Sequence, residues 1–297
     1  MEAHRLEPME KSETIYCKAP HENLELPGGS VPVFSARDAY TENYERIAAD
    51  HIAHFEATGQ NPFIPERLWQ ESERITAEVL RRYGASGARV LDVGCGMGRL
   101  LEQFPHFNRY GMDISAAYLA HAQRHGMEVC LARVEDMPYN DRLFDVVVCT
   151  DVLEHVFDLQ LACNEVIRVT RDDGFLIVRV PFREDLACYL SPSLPYEYVH
   201  LRNFDEHGLR LLFEKIHGCE VVELINGPLL LPWVSLKCRL RVPGMRFLFR
   251  TAARAVGLLG DSVRRAFLNW AFDPSDINVV VRVRRSSRQP HAEHEAG

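Results

Sequence analysis

Val90-Leu-Asp-Val-Gly-Cys-Gly-Met-Gly-Arg99 decides how the rest of the chain is read. The first four residues form an apolar run interrupted only by Asp92, as in a buried strand. Gly94, Gly96 and Gly98 then make a tight turn, and a helix is expected from about Arg99. Glycine permits positive φ and lets the backbone approach a ligand where a β-carbon would block it. A helix N-terminus adds unpaired N–H groups and partial positive charge, suited to a carboxylate or phosphate. Such glycine turns also serve simply to join a strand to a helix. The spacing is G-x-G-x-G, one residue shorter than the G-x-G-x-x-G of dinucleotide folds.

The next stretch supplies independent landmarks. Tyr110-Gly-Met-Asp-Ile114 reads as a second strand ending in Asp113, 19 residues after Gly94. That is close to the spacing of about 20 seen for acids that hold ribose hydroxyls. Val134-Glu-Asp-Met-Pro138 follows a short strand at 128–131. Phe144-Asp-Val-Val-Val-Cys-Thr150 is a continuous apolar strand, followed by Asp151-Val-Leu-Glu-His155, which is expected to open a helix. Gly174-Phe-Leu-Ile-Val-Arg-Val-Pro181 is a further strand.

These landmarks, in this order, resemble the class I S-adenosylmethionine-dependent methyltransferases of the small-molecule type, over residues 65–226 and again 276–284. The resemblance implies an α/β, Rossmann-like, doubly wound sheet, mostly parallel with an antiparallel last strand. It implies S-adenosyl-L-methionine as cofactor, held by Asp92, Gly94, Cys95, Gly96 and Gly98 at the turn. Asp113 and Ile114 would follow at the ribose. Glu135, Asp136 and Met137 would lie at the adenine, and Asp151 at the end of the fourth strand.

Composition sets the outer limits. The 297 residues are 46% hydrophobic and 26% charged, ordinary for a globular protein. Net charge is −8, which speaks against a broad nucleic-acid footprint. Met1 to Lys11 is polar and does not read as a signal peptide, and no apolar run reaches the 18 residues of a membrane span. The eight cysteines are scattered without C-x-x-C pairs, the usage of a reducing compartment. A cytoplasmic protein is expected, with peripheral contact at the inner membrane face as an open addition.

Residues 1–37, rich in Glu, Pro and Gly, are expected to form a flexible arm. Tyr40 to Thr58 and Pro65 to Arg82 show helical periodicity, giving a helical cap over 38–85. Strand and helix then alternate through a core at 86–226, which implies a parallel sheet covered on both faces. Asn203 is a candidate cap for a helix over 204–216. The last strand is expected at 276–285 and a disordered tail at 286–297. About 50 residues separate the last two strands. This helical insertion, 227–275, is unusually basic. From 233 to 272 eight Lys and Arg face Asp261 alone, so this segment is +7 and the remainder of the −8 chain is −15. Arg246, Arg250 and Arg254 recur every fourth residue beside an apolar stripe. Such a helix could rest on an anionic membrane surface or cover the substrate cleft.

Methyl transfer from a sulfonium requires alignment and exclusion of water, and a hydroxyl acceptor needs its proton removed. His200, in Tyr196-Glu-Tyr-Val-His200, and His155 are the candidate catalytic bases. Tyr196 and Tyr198 are candidates for shaping the acceptor pocket. Asp151-x-x-Glu154-His155 is similar to the E-x-x-E-H of quinone-pathway O-methyltransferases that use a divalent ion. The same Leu-Glu-His also occurs in relatives without metal, and no metal is expected here. No D-P-P-Y-like motif follows the fourth strand. With the charge, that points away from nucleic acid and toward a small-molecule, sugar or lipid-linked acceptor. A nicotinamide-dependent oxidoreductase and a noncatalytic interaction protein on the same fold are the alternatives.

Overall fold

The computed structural model describes residues 14–228 and 273–284, together with 251, 255, 260 and 263. A nine-stranded sheet runs through it. Its strands are β1 (Glu22–Leu26), β2 (Gly29–Val33), β3 (Arg89–Val93), β4 (Asn108–Asp113), β5 (Glu128–Leu131), β6 (Phe144–Thr150), β7 (Thr170–Pro181), β8 (Glu220–Asn226) and β9 (Asp276–Arg282). The spatial order is β1-β2-β5-β4-β3-β6-β7-β9-β8. β5, β4, β3, β6 and β7 are parallel, while β9 runs antiparallel to both β7 and β8. β3 therefore has β4 on one side and β6 on the other, and the order reverses there. In such sheets the ligand crevice opens beyond the carboxyl ends of the strands at the reversal.

Strand periodicity builds two cores. Successive side chains point to opposite faces, so Leu91, Val93, Val147 and Cys149 join one apolar cluster, and Val90, Val146 and Val148 the other. The helix α5 (Leu159–Val169) covers the first face with Ala162, Cys163, Val166 and Val169. The helices α2 (Glu66–Tyr83), α3 (Arg99–Glu102) and α4 (Ala116–Arg124) cover the second through Val79, Leu80, Leu101 and Leu119. Trimming a fully buried residue such as Leu80 to alanine would cost about 2–5 kcal/mol. The helix α1 (Ala39–Thr58) starts at a capping box between Asp38 and Thr41 and ends at Gly59 with φ 68°. It lies beside α4, where Glu45 accepts a hydrogen bond from the Ala117 N–H at 3.2 Å.

Three expectations need correction. From residue 14 onward the N-terminal arm is ordered. β1 and β2 form a hairpin across Pro27-Gly28, and Val33 pairs with Leu131 of β5. Val31 and Val33 are buried, and Tyr16 packs on Phe34 and Tyr139. Turn residues that looked like looseness are the hairpin's own turn. Next, 151–155 opens no helix. Asp151 has φ 56°, the following residues form turns, and the helix waits for its Asp158 cap. Last, the helix α6 (Glu206–Arg210), which widens into a π-helical stretch at Leu211–Ile216, is capped by Asp205 and not by Asn203. Asn203 instead donates to the Glu184 carbonyl at 2.7 Å. The basic repeat of Arg246, Arg250 and Arg254 and the tail at 286–297 lie outside the described residues.

Candidate active site

A cavity of about 880 Å³ opens at the switch point between β3, β4 and β6 and is roofed by α1 and α2. Its floor is the glycine turn. The N–H groups of Gly94 and Cys95 both donate to the Met112 carbonyl, at 2.8 and 3.0 Å, tying the turn to β4. Gly96 has φ 52°, and a β-carbon there would meet nothing within 4 Å, so its inner side faces open space. At Gly94 a β-carbon would come within 2.4 Å of Val152. Gly98 serves differently. It does not line the cavity, and a β-carbon there would sit 2.9 Å from Ala122 of α4. It permits close helix packing. α3 has only four residues, so the backbone turn matters more here than a helix dipole.

Asp113 closes the turn. Its Oδ2 accepts from the Gly96 N–H and its Oδ1 from the Ser115 N–H, both at 2.9 Å. Burial pushes this carboxyl up to about 6, against the lowering effect of those N–H groups. Asp92 lies deeper, and its Oδ1 takes no hydrogen bond among the described residues. Burial first, and the nearby Asp113 charge second, raise it to about 8. Cys95 and Ile114 line the wall, as does Glu135, whose buried Oε1 also lacks a hydrogen bond and has Arg133 at 3.5 Å. Asp136 and Met137 do not line the cavity. The Asp136 carboxylate faces outward to Lys18 at 2.6 Å, and Met137 is buried in the core. The short 3₁₀ turn at Val134–Asp136 presents only one of its two acids to the cavity.

Asp151 reaches the cavity as an ion-pair partner. Arg179, 4% exposed in the apolar strand β7, donates to both its oxygens and also to Thr76 at 3.2 Å. Asp151 is thereby turned toward β7, and since 151–155 form no helix, Asp151-x-x-Glu154-His155 does not present its three side chains on one helix face. A charged residue within Phe-Leu-Ile-Val-Arg-Val-Pro was the available signal for this pair, since Arg is rarely fully buried without a partner.

Another part of the cavity wall is built from imidazole and carboxyl groups. One polar atom from each of Glu154, His155 and His200 lies within 4.8 Å of the others. Glu154 is fully buried, neither of its oxygens is hydrogen-bonded among the described residues, and burial drives its carboxyl well above the usual range. His155 Nδ1 sits 3.0 Å from the Val199 carbonyl and 2.9 Å from the Tyr44 hydroxyl. A carbonyl only accepts, so Nδ1 carries the proton. Burial, reinforced by His200, lowers His155 to about 4, so it stays neutral at physiological pH. His200 pairs through Nδ1 with Glu184. The roof of the cavity is aromatic. Trp69, His51, Phe63, Tyr118 and Tyr196 line it, with Arg99 stacked 3.7 Å over Trp69 and paired to Glu73. Tyr196 is in the wall, whereas Tyr198 turns away to pack on Phe157. Glu184, Arg179, Tyr44 and Trp69 were missed by sequence reading. They belong to separate elements that only the fold brings together.

The residues present fit S-adenosylmethionine. Asp113 retains lone pairs for two ribose hydroxyls, and Asp92 offers a buried acceptor oxygen for an ammonium. Gly96 leaves open space beside them, and Glu135 supplies an acceptor at the strand end.

Comparisons with known proteins bear on the domain and the fold. The family model described as "Methyltransferase domain" matches residues 91–178. The chain is 29% identical over 146 residues to an uncharacterized protein of Methanocaldococcus jannaschii, covering 48% of this chain and 64% of that one. It is 27% identical over 175 residues to a ubiquinone biosynthesis O-methyltransferase of Xylella fastidiosa strain 9a5c, covering 56% of this chain and 71% of that one. An S-adenosylmethionine-dependent methyltransferase of Thermotoga maritima shares the fold at a TM-score of 0.54 and 17% identity, over 82% of this chain and all of that one. Among the described residues no helix is long and apolar enough to cross a membrane. Residues 91–178 thus match a methyltransferase domain, and the described residues share the fold of an S-adenosylmethionine-dependent methyltransferase.

Proposed function

We propose that the chain O-methylates a small-molecule, sugar or lipid-linked acceptor, with His200 as the base. The observation that carries this reading is that the Glu154, His155 and His200 cluster lines the same cavity as the glycine turn and Asp113. When bound, S-adenosylmethionine supplies an activated methyl group on a sulfonium, so no covalent protein nucleophile is needed.

The chain's residues then have separable tasks. Asp113, Asp92, Glu135, Gly94 and Gly96 bind and orient the cofactor, and Asp151 is fixed beside them by Arg179. The aromatic roof excludes water, which strengthens every polar contact beneath it. His155, held neutral by burial, positions the acceptor by accepting a hydrogen bond at Nε2. His200, whose Nδ1 is engaged by Glu184, takes the hydroxyl proton at its other nitrogen. The relatives named for ubiquinone biosynthesis support an O-linked product, and the acidic chain disfavours nucleic acid as acceptor.

The test is comparative mass spectrometry of metabolites from cells with and without the protein. The expected result is a species lighter by one methylene in its absence, converted by purified protein with S-adenosylmethionine. A methylated nitrogen on the product would refute O-methylation. Binding of NAD in place of S-adenosylhomocysteine, read by calorimetry, would favour an oxidoreductase. Binding with no methylated metabolite in any extract would favour a noncatalytic role.

A further inference from the structure

The geometry points to Glu184 as the residue that positions His200, fixing its ring so that Nδ1 carries the proton and Nε2 faces the acceptor as a free base. This rests on the reading of His200 as the base and adds a residue that neither the sequence motifs nor the comparisons single out.

The argument begins with the loop after β7. Glu184 follows the strand by three residues, and its side chain is held at both ends of the hydrogen-bond inventory. Oε1 accepts from the Tyr189 hydroxyl at 2.7 Å, and Oε2 contacts His200 Nδ1. The backbone is pinned as well. Its carbonyl accepts from Asn203 Nδ2 at 2.7 Å, and the adjacent Arg183 N–H donates to the Phe204 carbonyl at 2.9 Å. Glu184 therefore cannot swing without breaking contacts on both flanks. His200 is three residues before Asn203, so the same clasp sets the imidazole and its carboxylate together.

The tautomer follows from donor counting. A neutral imidazole has one donor nitrogen and one acceptor nitrogen. An ionised carboxylate only accepts, so the nitrogen facing it carries the proton. Tyr189 lies 3.2 Å from the same Nδ1, but its proton is committed to Glu184, where the contact is shorter. The groups that face His200 from other elements are Glu184, Tyr189, Glu154 and His155. The His155 ring stands edge-on to it at 4.6 Å between centroids. Among the described residues no hydrogen bond uses His200 Nε2. A carboxylate behind an imidazole holds tautomer and orientation and stabilises the imidazolium that forms, without itself taking the proton.

The direct test is nitrogen-15 NMR of histidine-labelled protein bound to S-adenosylhomocysteine, with His200 assigned through His200→Gln. The expected wild-type signature at high pH is a protonated, pyrrole-type Nδ1 and a bare, pyridine-type Nε2. Glu184→Gln retains an acceptor oxygen and should retain that tautomer. Glu184→Ala removes it, and the signal should move toward a tautomer mixture. A protonated Nε2 in the wild type, or an unchanged signature in Glu184→Ala, overturns the proposal. The wild-type spectrum alone decides the first point even where a variant does not fold. Turnover separates this inference from the one beneath it. Should the tautomer be as stated while His200→Gln keeps full turnover on the identified acceptor, the base reading fails and the Glu184 clasp stands.

Discussion

Replacing Asp113 with alanine tests the cofactor site most directly, because the structure gives the carboxylate two duties that can be measured apart. Its oxygens already accept from the Gly96 and Ser115 N–H groups at 2.9 Å each. Each carboxylate oxygen has a further lone pair, so the group can also hold two ribose hydroxyls. Alanine removes both sets of contacts. The ribose contacts are hydrogen bonds to a charged group, worth about 1.5–3 kcal/mol. That corresponds to a loss of roughly 10- to 150-fold in S-adenosylhomocysteine affinity. Separately, two N–H groups lose their acceptor, one of them at the buried Ser115. Each buried donor left unpaired costs about 1–3 kcal/mol of stability. Titration calorimetry reads the first effect, and thermal unfolding without ligand reads the second. A folded Asp113→Ala protein with undiminished affinity would refute the ribose assignment, leaving Asp113 as a clamp for the turn alone. Lost affinity with unchanged stability would refute the backbone accounting.

Other substitutions probe the remaining parts. Gly96→Val should abolish S-adenosylhomocysteine binding by calorimetry while the far-ultraviolet circular dichroism stays native, because its side chain would enter the cavity from a positive-φ position. His200→Gln should lower turnover by about 10²–10⁴-fold with cofactor affinity retained, and a preserved rate would return the residue to packing. Asp92 and Asp113 are raised on folding to about 8 and about 6, so their contribution to stability is full below the unfolded value near 3.8 and is lost as pH rises through 6 and 8. The melting temperature of the ligand-free protein should therefore lose this contribution between about pH 4 and 8, and Asp92→Asn should flatten that slope; an identical slope in the variant would remove Asp92 as its source. The basic insertion should bind anionic vesicles in a salt-sensitive manner and leave neutral ones alone. Changing Arg246, Arg250 and Arg254 to Glu should abolish co-sedimentation, and equal pelleting with both lipids would make the insertion a cover for the cleft.

What the sequence made legible was local. The strands β3 and β6 are short apolar runs that lead into Gly94 and Asp151, and β4 ends at Asp113. The glycine turn, Asp113 and Glu135 were readable because one element carries each of them. The hairpin at 22–33 was obscured because Glu, Pro and Gly masked an alternation carried by only four apolar residues, Leu24, Leu26, Val31 and Val33. Asp136 and Met137 could not be separated from Glu135, since adjacent residues in and just after a 3₁₀ turn point in different directions. Asp151 was read onto a helix that its own positive φ prevents. The Arg179–Asp151 pair joins adjacent parallel strands, and the Glu184–His200 pair joins two ends of one loop. Neither pairing has a periodicity to reveal it.

The same fact explains why this site is rich in unpaired carboxyl groups. A core normally satisfies its buried polar atoms, because each one left alone costs free energy. Here the described residues leave Asp92, Glu135 and Glu154 with buried oxygens that accept no hydrogen bond, all lining one cavity, with Arg133 standing 3.5 Å from the Glu135 oxygen. Packing cannot account for them, since apolar side chains of similar size would stabilise the fold better. The arrangement is consistent with a ligand carrying donors at three places along its length. An ammonium near Asp92, an adenine amino group near Glu135 and an acceptor hydroxyl near Glu154 would satisfy all three. Arg99 and Arg179, the two arginines in this wall, are already paired with Glu73 and Asp151, so they leave the cavity's acidic character in place. That character suits a cofactor bearing a sulfonium and an ammonium. It also makes binding and stability rise together, since each contact the ligand makes relieves a cost the fold otherwise bears.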